Sequence, residues 1–167
     1  GYNRSYKDKE RIFLQEYYDR IGTSYSANYC VPGIEDFAKN IPEIEAYCAI
    51  HQGWDQVIST TDSAGNKTEY WESFFRVTPG FFDVFSPEIV AGDSKTCLEG
   101  EYSVALSENI AKKFFGTESA LGKNVNIGNT PVTVTLVYKD FPENSSMKSG
   151  VLYRLKEKSN LYQIVFQ

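Results

Sequence analysis

Apolar and polar positions alternate along this chain with two periods, and the switches between them mark its elements. Arg11 to Tyr18 is aromatic and β-branched at its start and reads as a strand, with a helix as the alternative. A polar, turn-prone stretch follows from Gly22 to Pro32. Ile34, Phe37, Ala38 and Ile41 then stand at i, i+3, i+4 and i+7, one face of a helix that Pro42 ends. Ile44 to Ile50 reads as a strand. Two β-prone runs, Trp54 to Thr60 and Thr68 to Thr78, flank the loop Asp62-Ser63-Ala64-Gly65-Asn66, the pattern of a hairpin. Alternation on the second arm places Trp71, Phe75 and Val77 on one face and Glu72 and Arg76 on the other.

The next signals are helical. Thr78 caps a short helix with Pro79 at its first position, and Pro87 blocks its extension. This helix presses Phe81, Phe82 or Phe85 into the core. A strand from Tyr102 to Leu106 leads into a second helix, capped by Ser107 and stopped by Gly116. Glu108 sits at its positive end, Lys112 and Lys113 near its negative end, and Ile110, Ala111, Phe114 and Phe115 form its apolar side. Val125 and Ile127 alternate with Asn124 and Asn126, and Gly128-Asn129 turns the chain into Pro131 to Lys139. There Val132, Val134, Leu136 and Tyr138 oppose Thr133, Thr135 and Val137, which completes a second hairpin. Pro142 to Gly150 is a polar loop, and Val151 to Leu155 and Tyr162 to Phe166 are further strands. Helices interleave with strands, but the hairpins argue for antiparallel pairing, so the class is α+β.

Composition narrows the function more than the fold. The 167 residues suffice for one large domain or two small subdomains sharing a core. The aromatic fraction, 15%, fits a β-rich fold with half-buried aromatic faces, with an exposed binding surface as the other reading. Net charge is −5, and the nearest basic cluster, Arg154, Lys156 and Lys158, is interrupted by Glu157. That argues against nucleic acid, which needs clustered cations. No run approaches the roughly 18 apolar residues of a membrane span, and no signal-peptide pattern opens the chain. Cys30, Cys48 and Cys97 are odd in number and widely spaced, and they read as buried thiols, with one disulfide plus a free thiol as the alternative. With one histidine and no Cys-x-x-Cys, a zinc site would have to borrow carboxylates.

Candidate chemistry is weak. Gly116 to Asn124 imitates a phosphate loop, but five residues separate its glycines, Asn124 replaces the hydroxyl after Lys123, and a helix precedes it where a strand should. His51 lacks a nucleophile elbow, and Cys48, three residues before it, would face the other side of a regular strand. The pairs Glu43 and Glu45, Glu99 and Glu101, and Asp83 and Asp93 carry no evidence of the spacing a glycosidase needs. Asn3, Asn66 and Asn144 open glycosylation-type triplets that arise often by chance. No residue is assigned a catalytic, cofactor-binding or metal-binding role.

A different signal lies in the order of short motifs: Phe81-Phe82-Asp83-Val84-Phe85, Ala91-Gly92-Asp93, Val104-Ala105-Leu106-Ser107, Ala111-Lys112-Lys113-Phe114-Phe115-Gly116, Leu121-Gly122-Lys123, and Val137-Tyr138-Lys139-Asp140-Phe141-Pro142-Glu143-Asn144. With Tyr2 to Phe13 and Ile41-Pro42-Glu43-Ile44-Glu45-Ala46, this series resembles the extracytoplasmic core domain of MacB/FtsX-type ABC transporter permeases, especially those of Bacteroidetes. Asn3, Ser5-Tyr6 and Phe13 depart from the pattern usual after the first transmembrane helix.

The resemblance implies a non-catalytic domain between two transmembrane helices, on the periplasmic side of the bacterial inner membrane. Residues 1–102 and 145–167 would form a porter-like βαβ subdomain, and residues 103–144 a smaller, inserted, sabre-like helix-plus-hairpin subdomain. Its implied partners are its own transmembrane helices, a cytoplasmic ATPase acting through the full permease, a second permease copy, and an exported substrate or periplasmic protein. Its implied role is to pass ATP-driven movement outward for export or extrusion, which requires both chain ends to approach one side of the molecule. A stand-alone periplasmic or surface ligand-binding module is the alternative, and a hydrolase built on His51 or a carboxylate pair comes third.

Overall fold

The computed structural model describes residues 13–14, 17–18, 25–26, 36, 38–143, 145, 147, 149–155 and 163–166, with backbone only at 13–14, 17–18, 25–26 and 163–166. The strands are β1 (Phe13–Leu14), β2 (Tyr17–Tyr18), β3 (Tyr25–Ser26), β4 (Tyr47–Gln52), β5 (Gln56–Thr61), β6 (Lys67–Glu72), β7 (Phe75–Val77), β8 (Ile89–Gly92), β9 (Ser103–Ser107), β10 (Asn124–Ile127), β11 (Thr130–Tyr138), β12 (Val151–Arg154) and β13 (Gln163–Phe166). The helices are α1 (Phe81–Phe85) and α2 (Glu108–Phe115). Of the helix expected before Pro42, Asp36, Ala38 and Lys39 are helical, Asn40 is already a turn and Ile41 is not helical, so the helix stops before the proline; Ile34 and Phe37 lie outside the described residues.

Eleven strands form one mixed sheet in the order β1-β13-β4-β7-β12-β9-β11-β10-β5-β6, with β8 on β11, while β2 and β3 pair separately. Only β7/β12 and β9/β11 are parallel; the other pairs are antiparallel. This is the α+β class the hairpin signals predict.

That order forces the sheet to curl. Six strand-to-strand steps separate β4 from β5, about 29 Å if the sheet were flat. The chain crosses from Gln52 to Gln56 in four residues, a reach of at most about 14 Å. The β4/β7 ribbon must therefore bend over one face and continue as β5/β6 on the far side. Phe74 marks the bend and is only 2% exposed. The Gly53 N–H donates to its carbonyl at 2.8 Å, and a Cβ at position 53 would lie 2.5 Å from its ring. A side chain there would push the phenylalanine out of the core. The second hairpin arm is consequently two strands broken at Ser73-Phe74. Phe75 and Val77 share a face as alternation predicts, but Trp71 does not join them and stays exposed.

Each face of the curled sheet buries its own cluster. Cys48, Ile50, Val77, Ala105, Leu136 and Leu152 lie under the α1 rings of Phe81, Phe82 and Phe85. Ile58, Phe74, Val104, Leu106, Val134 and Val151 lie with Ala111 and Phe114 of α2. Both clusters draw on residues 103–144 and on the segments flanking them, and β9 pairs with β12 across that boundary.

β11 serves both clusters because of a bulge. Val134 pairs with Val104 and Leu136 with Ala105, so Thr135 is one residue too many. Val132 and Val134 consequently enter the α2 cluster, and Leu136 and Tyr138 the α1 cluster. Simple alternation put all four on one face. The Thr135 hydroxyl lies 2.6 Å from the Cys97 carbonyl and 3.3 Å from that of Val104, which fastens the bulge. Beyond it β8 takes over from β10 as the neighbour of β11.

α2 begins and ends as the sequence predicts. The Ser107 hydroxyl accepts from the Ile110 N–H at 3.4 Å, and the Gly116 N–H donates to the Lys112 carbonyl at 2.8 Å. Asp140 adds a second cap, accepting from the Asn109 N–H at 2.9 Å. α1 starts differently. Its N-cap is Gly80, with no side-chain bond; Thr78 instead accepts from the Ala49 N–H at 2.9 Å and stitches the approach to β4. The loop 142–150 is buried at Ser145, Met147 and Ser149. Ser149 donates to the Ser73 carbonyl at 2.7 Å and accepts from the Val151 N–H at 3.1 Å, so its hydroxyl replaces the water a buried backbone would otherwise need.

Candidate functional site

The residues with chemical potential are dispersed. His51 lies on β4 opposite Arg76, and burial first, then that guanidinium, lower its pKa. Cys48 is fully buried in the α1 cluster, which pushes its thiol well above the usual range. Cys97 donates to the Ser94 carbonyl at 3.6 Å, and burial raises its pKa to about 11. At pH 8 about one Cys97 in a thousand is thiolate. Iodoacetamide at that pH should leave Cys48 and Cys97 unmodified in the folded domain and alkylate both in denaturant. Peptide mass mapping of the two samples reads the outcome. Cys30 lies outside the described residues, as do Asn3 and Asn144.

The carboxylate pairs have structural settings. Asp83 forms an ion pair with the Lys95 ammonium, while Asp93 accepts from the Lys95 N–H at 2.8 Å. One lysine thereby ties α1 to the turn after β8. Glu43, Glu45, Glu99 and Glu101 are exposed. Among the described residues no group of three or more His, Cys, Asp or Glu is placed to hold a metal ion. Lys123, the lysine of the phosphate-loop imitation, pairs with Glu118 and lies 5.1 Å from the Phe115 ring centre. Its loop runs from helix to strand, so no helix N-terminus points into it. The Asn66 amide is engaged by Asp62 at 3.0 Å inside the β5/β6 turn.

Described residues form two clefts of similar size, besides a smaller one of about 310 Å³ at Tyr138 and Phe141. One, of about 540 Å³, lies beside the start of β4 and is bordered by Lys39, Glu45, Tyr47, Asp83 and Arg154. Arg154 is held there by donating to the Leu98 and Glu99 carbonyls. The other, of about 530 Å³, lies between the β5/β6 turn and the end of α2, bordered by Thr61, Asp62, Asn66, Phe115 and Lys123. His51 borders neither.

The first and last described strands pair at the sheet edge. Phe13 of β1 pairs with Phe166 of β13, and Leu14 with Val165, antiparallel. Paired Cα atoms lie about 5 Å apart. The chain entering β1 and the chain leaving β13 therefore pass the same end of the same edge. Tyr47, where β4 begins, is the next partner of Phe166, so β4 runs away from that end. Both segments read as strands in the sequence, but their pairing does not, because contact between the first and last strands leaves no local signal. Among the described residues no helix is long and apolar enough to cross a membrane.

A family profile described as MacB-like periplasmic core domain matches residues 4–164. Three of the solved structures that share the fold illustrate it. A domain of a protein described as a permease, from Porphyromonas gingivalis, superposes with a TM-score of 0.72 at 20% identity, over 94% of this chain and 72% of that one. The extracellular domain of the noncanonic ABC-type transporter YknZ from Gram-positive bacteria gives 0.65 at 20% identity, over 94% and 81%. The periplasmic region of MacB from Actinobacillus actinomycetemcomitans gives 0.67 at 15% identity, over 93% and 72%. No curated protein matches the chain. Because the profile runs over nearly the whole sequence, the chain belongs to the MacB-like periplasmic core domain family, the extracytoplasmic domains of MacB/FtsX-like ABC transporter permeases.

Proposed function

We propose that this domain performs no chemistry and instead couples ATP-driven movement of transmembrane helices to export or extrusion of a substrate, on the periplasmic side of the inner membrane. The observation that carries this reading is the pairing of Phe13 with Phe166. Two membrane anchors leading into neighbouring strands would deliver their displacement to one edge of one sheet. A curled sheet with a packed core on each face resists bending, so displacement at its edge becomes tilt of the whole body. In this reading residues 1–102 with 145–167 are the porter-like part and 103–144 the sabre-like part, moving together through the β9/β12 pairing. The drive comes from a cytoplasmic ATPase through the full permease and its second copy.

In this reading residues 2–10 are the stalk joining the first transmembrane helix to the domain, and the test is a flexible Gly-Ser insertion in it, after Tyr6, in the full permease. Export should fall to the level of an ATPase-dead permease while ATP hydrolysis persists. Unchanged export would show that movement does not pass through this stalk.

A further inference from the structure

Both tryptophans of the chain lie on its surface, Trp54 at 86% exposure and Trp71 at 72%. Indole is the largest apolar side chain and is seldom left so open. The two share one end of the β5/β6 hairpin. Trp71 precedes Glu72, whose strand partner is Gln56, and Trp54 lies two residues before Gln56. Their levels on the ribbon differ by about 10 Å. Tyr70, on the other face of β6, has its packing: the Phe114 ring at 5.5 Å and the Lys113 ammonium at 4.1 Å. No ring contact or hydrogen bond among the described residues engages either indole.

Two further features coincide there. β6 ends the strand order, so among the described residues its outer edge carries unpaired N–H and C=O groups. Residues 53–74 also hold the acids Asp55, Asp62, Glu69 and Glu72 against the single base Lys67, and Lys113 of α2 pairs with Glu72 there. Four acids thus face two bases, a local net charge of −2, with Lys67 on Glu69 and Asp55 open beside Trp54. An unpaired strand edge, two open indoles and an acidic surround suit one kind of visitor.

We propose that the β6 edge docks an extended, basic segment of a partner polypeptide, which adds as a strand and sets Lys or Arg side chains against Trp54 and Trp71. A second copy of this chain would bring two acidic edges together, and repulsion disfavours it. A lipid surface is disfavoured by position: β4 leads from Tyr47, beside the chain ends, to Gln52, and Trp54 lies beyond it. The positional argument rests on the proposed membrane anchoring, whereas the charge and edge arguments do not.

Because the chain has no third tryptophan, its indole emission reports on this patch alone. The 167-residue domain is titrated with a synthetic peptide alternating Lys and Val, with the same peptide carrying Glu for Lys, and with the Lys peptide N-methylated on alternate residues. The basic peptide should shift the emission saturably and with salt sensitivity, and the other two should not. By calorimetry, Trp71→Ala should weaken binding by about tenfold or more, and Glu69→Gln by a smaller factor. Trp71 is exposed, so both variants should melt within a few degrees of the parent. Absence of saturation up to millimolar peptide, an equal response to the Glu peptide, or indifference to N-methylation would each overturn the proposal. So would dimerisation of the domain abolished by Trp71→Ala, or indole burial on phosphatidylcholine vesicles. None of these results bears on whether the anchors drive export, which the stalk insertion reads separately.

Discussion

Phe81→Ala is expected to lower the unfolding free energy of the domain by about 3–5 kcal/mol, the usual range for removing a buried aromatic ring. Phe81 is completely buried. Its ring centre lies 4.7 Å from Phe85, 5.4 Å from Phe82 and 6.3 Å from Phe141, so the substitution empties the middle of an aromatic cluster. α1 has five residues and an N-cap without a side-chain bond. A helix of that length has no stability of its own, and the cluster is what keeps it folded. Losing it also frees Asp83 from its place opposite Lys95, which loosens the turn after β8. Urea titration measures the loss as a shift in midpoint at constant slope. Phe81→Leu should recover more than half of it by refilling much of the cavity. A loss below about 1 kcal/mol would mean that the cluster repacks and that α1 does not depend on this ring.

Gly92→Ala should cost about 2–5 kcal/mol. Residue 92 has φ +93, where a Cβ costs roughly 1–2 kcal/mol. That Cβ would also lie 2.5 Å from the Thr135 carbonyl oxygen and 3.1 Å from the Leu136 Cα, both backbone atoms that cannot swing aside. Relieving such overlap typically costs a further 1–3 kcal/mol. Gly65 separates the two contributions: its φ is +86, yet nothing lies within 4 Å of its would-be Cβ. Gly65→Ala should therefore show the conformational cost alone, about 1–2 kcal/mol. Hydrogen exchange should find the Gly92→Ala damage in β8 and the second half of β11, because Leu136 is the strand partner of Gly92. Equal losses at the two glycines would refute the close approach at the bulge.

What the sequence disclosed follows from the range of each signal. α2 is legible because its cap, charges and stop are all local to Ser107 through Gly116, and each acts within a turn of the helix it shapes. β10/β11 is legible for the same reason. The bulge at Thr135 is not, because a threonine in an alternating run looks like one more outward residue until its partners Cys97 and Val104 are known. Phe74 gave a false parity: adjacent phenylalanines hide which one turns inward, and the bend that decides it comes from joining opposite sides of the sheet. Ser145 and Ser149 look like loop polarity and are buried acceptors and donors. The family was readable from motif order, and it implied only that both chain ends approach one side; the junction of Phe13 with Phe166 is in no residue pattern.

That junction also sets a timetable for synthesis. Ile50 finds its β13 partner, Gln163, more than a hundred residues downstream. At roughly 5–20 residues per second, β4 waits about 5–25 s for that neighbour after leaving the ribosome. Throughout the delay a strand whose central residues are destined for full burial presents a bare flank to the surroundings. The strand Gln163–Phe166 acts as the latch, and a nascent chain halted before Gln163 keeps that aggregation-prone side open however well the middle has folded.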